Sequence, residues 1–299
     1  MLLLITASID GTSDRIVSRL GEGVFRLNYD LWRDYKLEYT PDFWRVVSPT
    51  GREITSSTVT GVFWWKPLTA LIGDDRLVKS EVKYILRDLY GWAITRGLAK
   101  GNSPDFHNKF GKMNLLWRAK NYFKIPESLV TWQMQGGQRF IGCDTVVKSL
   151  SSELSDNKNS LMTTRAAVEA LDPQYPWFIQ STIESDWDCT VFLCNRRLFA
   201  FRRSRIGMKG VDWRVEQDFQ FTEQEWFPFS LTPSQTDRLL ALSDGIGVEI
   251  GRYDFMIDKT DGELTFLEFN ATGQWVFLDI HDQYGLVDTV TEWLQPPSK

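Results

Sequence analysis

The chain has 299 residues with 34 basic and 39 acidic side chains, a formal net charge of −5, so a broad nucleic-acid-binding face, which needs net positive charge, is not expected. Hydrophobic residues make up 42% and charged residues 24%, the balance of a globular chain that can bury a core without disulfides or structural metal. The longest apolar stretches, such as Leu2 to Ile5 and Val62 to Trp65, fall far short of the about 20 apolar residues of a membrane span.

From the N-terminus, Leu-Leu-Leu-Ile-Thr-Ala reads as a first strand and not as a signal peptide. Thr12 or Ser13 can cap a helix running to about Leu20, and Val24 to Asn28 alternates as a second strand. Trp44 to Ser48 and the stretch after Gly51 read as a hairpin, Thr58 to Trp65 as a strand, and Ser80 to Lys100 as a helix with Val82, Ile85, Leu89 and Trp92 in phase. Strands alternating with helices imply an open, mostly parallel sheet over residues 1–100. A second unit, 101–176, holds a helical pattern over Asn108 to Phe123 and short strands at Leu129 to Thr131 and Thr145 to Lys148. The polar segment that follows has loop composition. In the third unit, 177–299, Phe178 to Ile183, Thr190 to Leu193 and Leu198 to Arg202 read as strands, and Thr232 to Ile246 and Leu286 to Leu294 as helices.

Three cysteines (Cys143, Cys189, Cys194) form no CxxC pair and read as reduced thiols of a cytoplasmic protein. Only two histidines, His107 and His281, are present and lie far apart, so metal chemistry would use carboxylates and a hard cation, Mg²⁺ or Mn²⁺. The place for it is a hairpin. Tyr253-Asp254-Phe255-Met256-Ile257 and Leu264-Thr265-Phe266-Leu267-Glu268-Phe269-Asn270 flank a turn near Asp261. That pairing sets Asp254 close to opposite Glu268 and puts Glu268 and Asn270 on one face. Carboxylates set among Phe266, Leu267 and Phe269 are costly without a cation. A hairpin whose acids simply face water stays open on this pattern alone.

A strand Asp followed by Glu-x-Asn on its partner resembles the magnesium-binding end of the ATP-grasp ligases. Other segments agree in order: Asn108-Lys109-Phe-Gly-Lys112, Val146-Val147-Lys148, and Phe178 to Glu184. Phe63-Trp64-Trp65-Lys66-Pro67, Met162-Thr163-Thr164, Asp212-Trp213-Arg214 and Phe266 to Trp275 are most similar to the graspetide, or microviridin-type, macrocyclases of ribosomal peptides. The resemblance implies an α+β, ATP-grasp fold: an N-terminal α/β subdomain and two α+β subdomains that clamp ATP. It implies ATP and Mg²⁺ (two ions) as cofactors, with Asp254, Glu268 and Asn270 on the metal and Lys109 and Lys148 on phosphates. Gln180, Ile183 and Glu184 would meet adenine, Arg203, Arg205 and Arg214 would act in catalysis, and Asp212, Trp213 and Arg214 would hold substrate. Loop 149–162 would be the lid. Two departures stand out: Thr190 replaces an arginine common in relatives, and the loop after Lys148 has no glycine.

The implied activity is ATP-dependent activation of a peptide side-chain carboxylate and its closure into an ester or amide. Expected partners are a ribosomal precursor peptide with a leader segment, with no nucleic acid and no membrane and a homodimer left open. Two alternatives remain at this stage: a ligase joining free amino acids or other small acids and amines, and an inactive peptide-binding scaffold.

Overall fold

In the computed structural model, residues 1–66, 69–132, 134–150, 163–208, 210–211 and 226–295 are described. Strand β1 (Leu2–Thr6) is buried along its whole length, as the middle strand of a parallel sheet must be. Helix α1 (Gly11–Leu20) follows, capped not by Thr12 or Ser13 but by Asp10, whose carboxylate accepts the Ser13 N–H at 2.9 Å. Then come β2 (Val24–Asn28), β3 (Lys36–Tyr39), β4 (Trp44–Val47), β5 (Glu53–Thr55) and β6 (Gly61–Trp64). Helix α2 (Arg76–Thr95) starts a turn earlier than the apolar phase suggests, because Asp75 caps it through the N–H groups of Leu77 and Val78. With β7 (Ala99–Lys100), the parallel sheet has the order β2-β1-β6-β7, and β3-β4-β5 form a small antiparallel sheet. Strand β3 has no apolar alternation to betray it, since Lys36, Leu37 and Glu38 are all exposed.

The single helix expected over 108–123 is two. Helices α3 (Phe106–Lys109) and α4 (Lys112–Ala119) are separated at Gly111, which is extended at φ −68°, ψ 164° and caps α4. Strands β8 (Ser128–Thr131), β9 (Thr145–Lys148), β10 (Thr164–Arg165) and β11 (Trp177–Ser181) form an antiparallel sheet of order β10-β9-β11-β8. The last strand of this sheet therefore lies beyond residue 176, where the sequence reading ends the second unit.

Strands β12 (Trp187–Cys194), β13 (Arg197–Ser204) and β14 (Phe227–Pro228) precede α5 (Pro233–Ile246), β15 (Ile250–Ile257), β16 (Leu264–Asn270) and α6 (Leu286–Leu294). Thr232 and Gln235 close a reciprocal capping box at the start of α5. The five-stranded antiparallel sheet has the order β14-β13-β12-β15-β16. One face packs Val191, Tyr253, Phe255 and Phe269 against Leu115 and Leu116 of α4 and Leu239 and Leu242 of α5. The opposite face divides in two. Its apolar end, with Phe192 and Phe201, joins Trp65, Trp275 and residues of α1 and α6 in a shared core, while Trp64 packs into the separate core of the N-terminal unit; all three tryptophans are packing residues, at most 2% exposed. Its polar end forms the site. Asn102 joins the parallel sheet to this one: its buried Nδ2 donates to the carbonyls of Ile250 and Ala271, and its Oδ1 accepts from Glu249 N.

Candidate functional site

Strand register assembles the polar end. Thr190 of β12 lies opposite Asp254 of β15, and Asp254 opposite Glu268 of β16. Side chains two residues apart share a face, which adds Asp188 and Arg252. Strict alternation along β16 would put Phe266 on the same face as Glu268 and Asn270. A register shift between Asp254 and Phe255 pairs Phe255 with Phe266 and leaves Leu267 as the extra residue. Phe266 and Phe269 both reach the core while Leu267, Glu268 and Asn270 all line the cleft. Bulges re-aim side chains in this way beside active sites.

Asp254, Glu268 and Asn270, the residues expected from sequence to ligate a metal, lie together. Asn270 Nδ2 donates to Asp254 Oδ2 at 2.8 Å and to Glu268 Oε1 at 3.2 Å. Asp254 is also held in a fork by Arg252, whose Nε and Nη2 each donate at 3.0 Å. Thr190 Oγ1 donates to Asp254 Oδ1 at 2.9 Å. A carboxylate has about four acceptor positions, and Asp254 uses all of them. Lys112 Nζ lies 3.9 Å from Glu268 Oε2 and donates to the Ser149 carbonyl at 2.6 Å.

The cluster forms one side of a cleft of ≈ 830 Å³ whose other wall comes from β9 and β11, with Val146, Lys148, Gln180 and Ile183. Gln180 is buried and anchored through Nε2 to Ser128 Oγ at 2.9 Å. Arg205 also lines the cleft and donates from Nη1 to Asp188 Oδ1 at 2.6 Å. Burial raises the Asp188 pKa above the usual carboxylate range, and the Arg205 charge opposes that rise. Arg203 is buried opposite Asp188 in the register.

Lys109 does not join the cluster. It is exposed, with Nζ 5.3 Å from the Phe110 ring centroid, because Phe106 and Phe110 turn inward from this short helix and leave Lys109 outside. The lysine brought to the cleft is Lys112, the first residue after the Gly111 break. Glu184 is likewise exposed and outside the cleft lining, its carbonyl accepting from Lys259 N at 3.1 Å. Asp212, Trp213 and Arg214, and most of loop 149–162, lie outside the described residues. Lys66, Lys112 and Arg252 line the cleft and carry no role in the sequence reading. For Arg252 a signal existed: in Arg-x-Asp on a strand both side chains share a face. For Lys66 there was none short of knowing where β6 ends.

A scan of the sequence finds no matching family model and no similar curated protein. Similar solved structures are many. A RiPP-associated ATP-grasp ligase of Chryseobacterium gregarium, solved with ADP and a leader and core peptide, shares 20% identity over 98% of this chain and 96% of that one, with a TM-score of 0.80. The macrocyclase MdnC of Microcystis aeruginosa MRC, bound with precursor peptide MdnA, shares 18% identity over 99% and 100% of the two chains, with a TM-score of 0.81. The ATP-grasp ligase PsnB, solved with a phosphomimetic variant of a minimal precursor, Mg and ADP, shares 13% identity over 98% and 97%, with a TM-score of 0.73. The chain has the α+β fold of the ATP-grasp ligases along nearly its entire length. Among the described residues no helix is long and apolar enough to cross a membrane.

Proposed function

We propose that this protein is an ATP-dependent ligase that activates a side-chain carboxylate of a ribosomal precursor peptide and closes it onto a hydroxyl or amine as an ester or amide. The observation that carries the reading is the convergence of Asp254, Glu268 and Asn270 on a cleft whose facing wall presents Lys148 and Gln180. Peptide-bound structures of the same fold support the choice of a peptide over a free amino acid.

The donor set fits Mg²⁺. It offers oxygen ligands from two carboxylates and one amide, and Mg²⁺ takes one or two carboxylates and completes its shell with water and phosphate. The Asn270 N–H group now bridges both carboxylates; with a cation there, the amide turned over would present its oxygen instead, and Asp254 would give up one of its four donors. Held by Asp254, Glu268 and Asn270, Mg²⁺ would supply positive charge against the nucleotide phosphates. Lys112 and Lys148 would contact the nucleotide phosphates, and Gln180 and Ile183 would line the base. Arg205, fixed by Asp188, would offset charge on the transferring phosphoryl group, with buried Arg203 beside it. A carboxylate oxygen attacks the γ-phosphorus and ADP leaves. The hydroxyl or amine then attacks the acyl carbon, loses its proton, and phosphate departs. Such chemistry needs water kept out, and the segment after Ser149 is the natural cover. Arg214, with Asp212 and Trp213, belongs on the substrate side in this reading, and the reaction would run in the cytoplasm.

The test is Glu268→Gln. Its fold should be intact by circular dichroism, Mg²⁺-dependent binding of an ATP analogue should weaken at least about tenfold, the loss of one charge-assisted contact, and peptide-dependent ADP release should cease. Parent-level ADP release by this variant would remove the metal site. A parent enzyme that turns over ATP with free amino acids, yet never removes water from the precursor encoded beside it, would replace the peptide with a small acid.

A further inference from the structure

Lys66 is a lysine in an unusual setting. It follows β6 at the C-terminal edge of the parallel sheet, and its φ of 54° is left-handed, a conformation that a non-glycine residue keeps only when its surroundings hold it. Here the Tyr29 hydroxyl holds it by donating to the Lys66 carbonyl at 2.6 Å. The side chain is half-buried and lines the cleft. Asp10 and Arg252 are near enough for both to act on its charge, and burial lowers its pKa. Asp10 is already engaged by Ser13 and Gln274. Among the described residues the Lys66 ammonium has no hydrogen bond or ion pair, whereas Arg165, Arg205 and Arg252, which line the same cleft, each hold a carboxylate. A half-buried ammonium whose nearest carboxylate, Asp10, acts only at a distance and is engaged elsewhere is costly, and an anionic ligand would relieve that cost.

Strand β15 gives the order of parts along the cleft. At its C-terminal end the adenine-side segment is tied down, with Ser185 Oγ donating to the Ile257 carbonyl at 2.6 Å. Asp254 lies about 10 Å back along the strand and Arg252 about 7 Å further, at roughly 3.3 Å per residue. Lys66 stands at the Arg252 end. In the ligase reading it would thus lie on the far side of Asp254, Glu268 and Asn270 from the base, the side from which a group attacking the γ-phosphate in line would come.

We infer that Lys66 receives the carboxylate that is to be activated and so determines specificity for an acidic side chain. It takes over the anchoring that Thr190 cannot supply, since the Thr190 hydroxyl is spent on Asp254. The inference rests on the ligase reading above and adds to it the residue that selects the acid.

The probes are N-acetyl-glutamate α-amide and N-acetyl-glutamine α-amide, alike except for the side-chain charge. They are titrated by NMR into the full chain loaded with Mg²⁺ and a non-hydrolysable ATP analogue. The parent should bind the acid about tenfold more tightly than the amide, the worth of one charge-assisted hydrogen bond. Lys66→Gln should bind the two alike with nucleotide affinity unchanged, and Lys66→Arg should restore the preference. Preference kept in Lys66→Gln, no preference in the parent, or a nucleotide affinity that falls as far as the acid's would each overturn the assignment. Failure of the parent to bind Mg²⁺ and nucleotide is a different result, and overturns the ligase reading itself.

Discussion

Asp254 and Asp188 lie on neighbouring strands of one sheet, line one cleft and are each held by an arginine, yet their surroundings differ. Asp254 accepts four hydrogen bonds from three side chains. Asp188 is bonded through Oδ1 to Arg205, and among the described residues its buried Oδ2 has no hydrogen-bond partner. The first is a carboxylate held by several donors, and in the proposed function it exchanges one of them for a cation. The second rests mainly on one buried ion pair, with side chains 12% and 11% exposed, and the charge of Arg203 opposite it adds less. In the proposed function, redundancy belongs to the group that changes partners, and dependence to the one that fixes an arginine in place.

The sharpest way to break this comparison is to remove each arginine. Arg205→Met leaves Asp188 buried with only the weaker charge effect of Arg203, and removing one partner of a buried pair costs about 3–5 kcal/mol, here toward the lower end. A chemical denaturation midpoint at neutral pH should fall accordingly. The sign with pH follows from the pKa, which burial already raises and which rises further without Arg205. The folded state then holds its proton to higher pH than the unfolded chain. The penalty is therefore full above the raised pKa and is relieved as pH falls through it. A midpoint unchanged at neutral pH would mean the pair is not buried in solution.

Arg252→Met should cost less, about 1.5–3 kcal/mol for hydrogen bonds to a charged group, because Thr190 and Asn270 remain. The two variants should also respond differently to ligand. Mg²⁺ with an ATP analogue should recover much of the loss in Arg252→Met, as a cation takes the vacated positions on Asp254, and little of it in Arg205→Met. Equal recovery, read as the shift in melting temperature, would erase the distinction drawn between the two carboxylates.

The same contrast explains what the sequence could tell. The apolar phase of β1, β9 and α6 and the Asp/Glu-x-Asn hairpin are local patterns, and they are where the residues place them. The ion pair at Asp188 was not legible, because Arg205 reaches it across a strand pairing that only the fold sets. Gly111 broke a periodic pattern that reads through it, so the lysine expected at the cleft is displaced by three residues, from Lys109 to Lys112. The bulge at Leu267 was equally silent. Strict alternation happened to group Glu268 with Asn270 correctly and would have pulled Phe266 out of the core. Caps at Asp10 and Asp75 lay one or more residues ahead of the apolar phase, where hydrophobicity carries no signal.

The smallest effect expected concerns how finely the redundancy around Asp254 is placed. Asn270 bridges both carboxylates because the chain turns closely past it, and Gly273 is what permits the approach. A Cβ built at Gly273 would lie 2.8 Å from the Asn270 Cβ and 3.6 Å from the Arg252 Cβ. The first contact is too short and involves the stem of the side chain, which cannot swing aside as a flexible end could. Gly273→Ala must therefore shift Asn270 relative to Asp254 and Glu268. Overpacking of this kind costs about 1–3 kcal/mol, here toward the lower end because the residue borders the open cleft. Asp254 would still keep Arg252 and Thr190, so stability should change little. The Mg²⁺ dependence of nucleotide binding should change more, since an amide oxygen displaced by a few tenths of an ångström is a poorer third ligand for a cation that demands near-octahedral geometry. Titrating Mg²⁺ at fixed nucleotide separates the two effects. A weakened Mg²⁺ response with a melting temperature close to that of the parent places Asn270 in the coordination sphere. A Mg²⁺ response identical to the parent's would confine Asn270 to bridging the carboxylates.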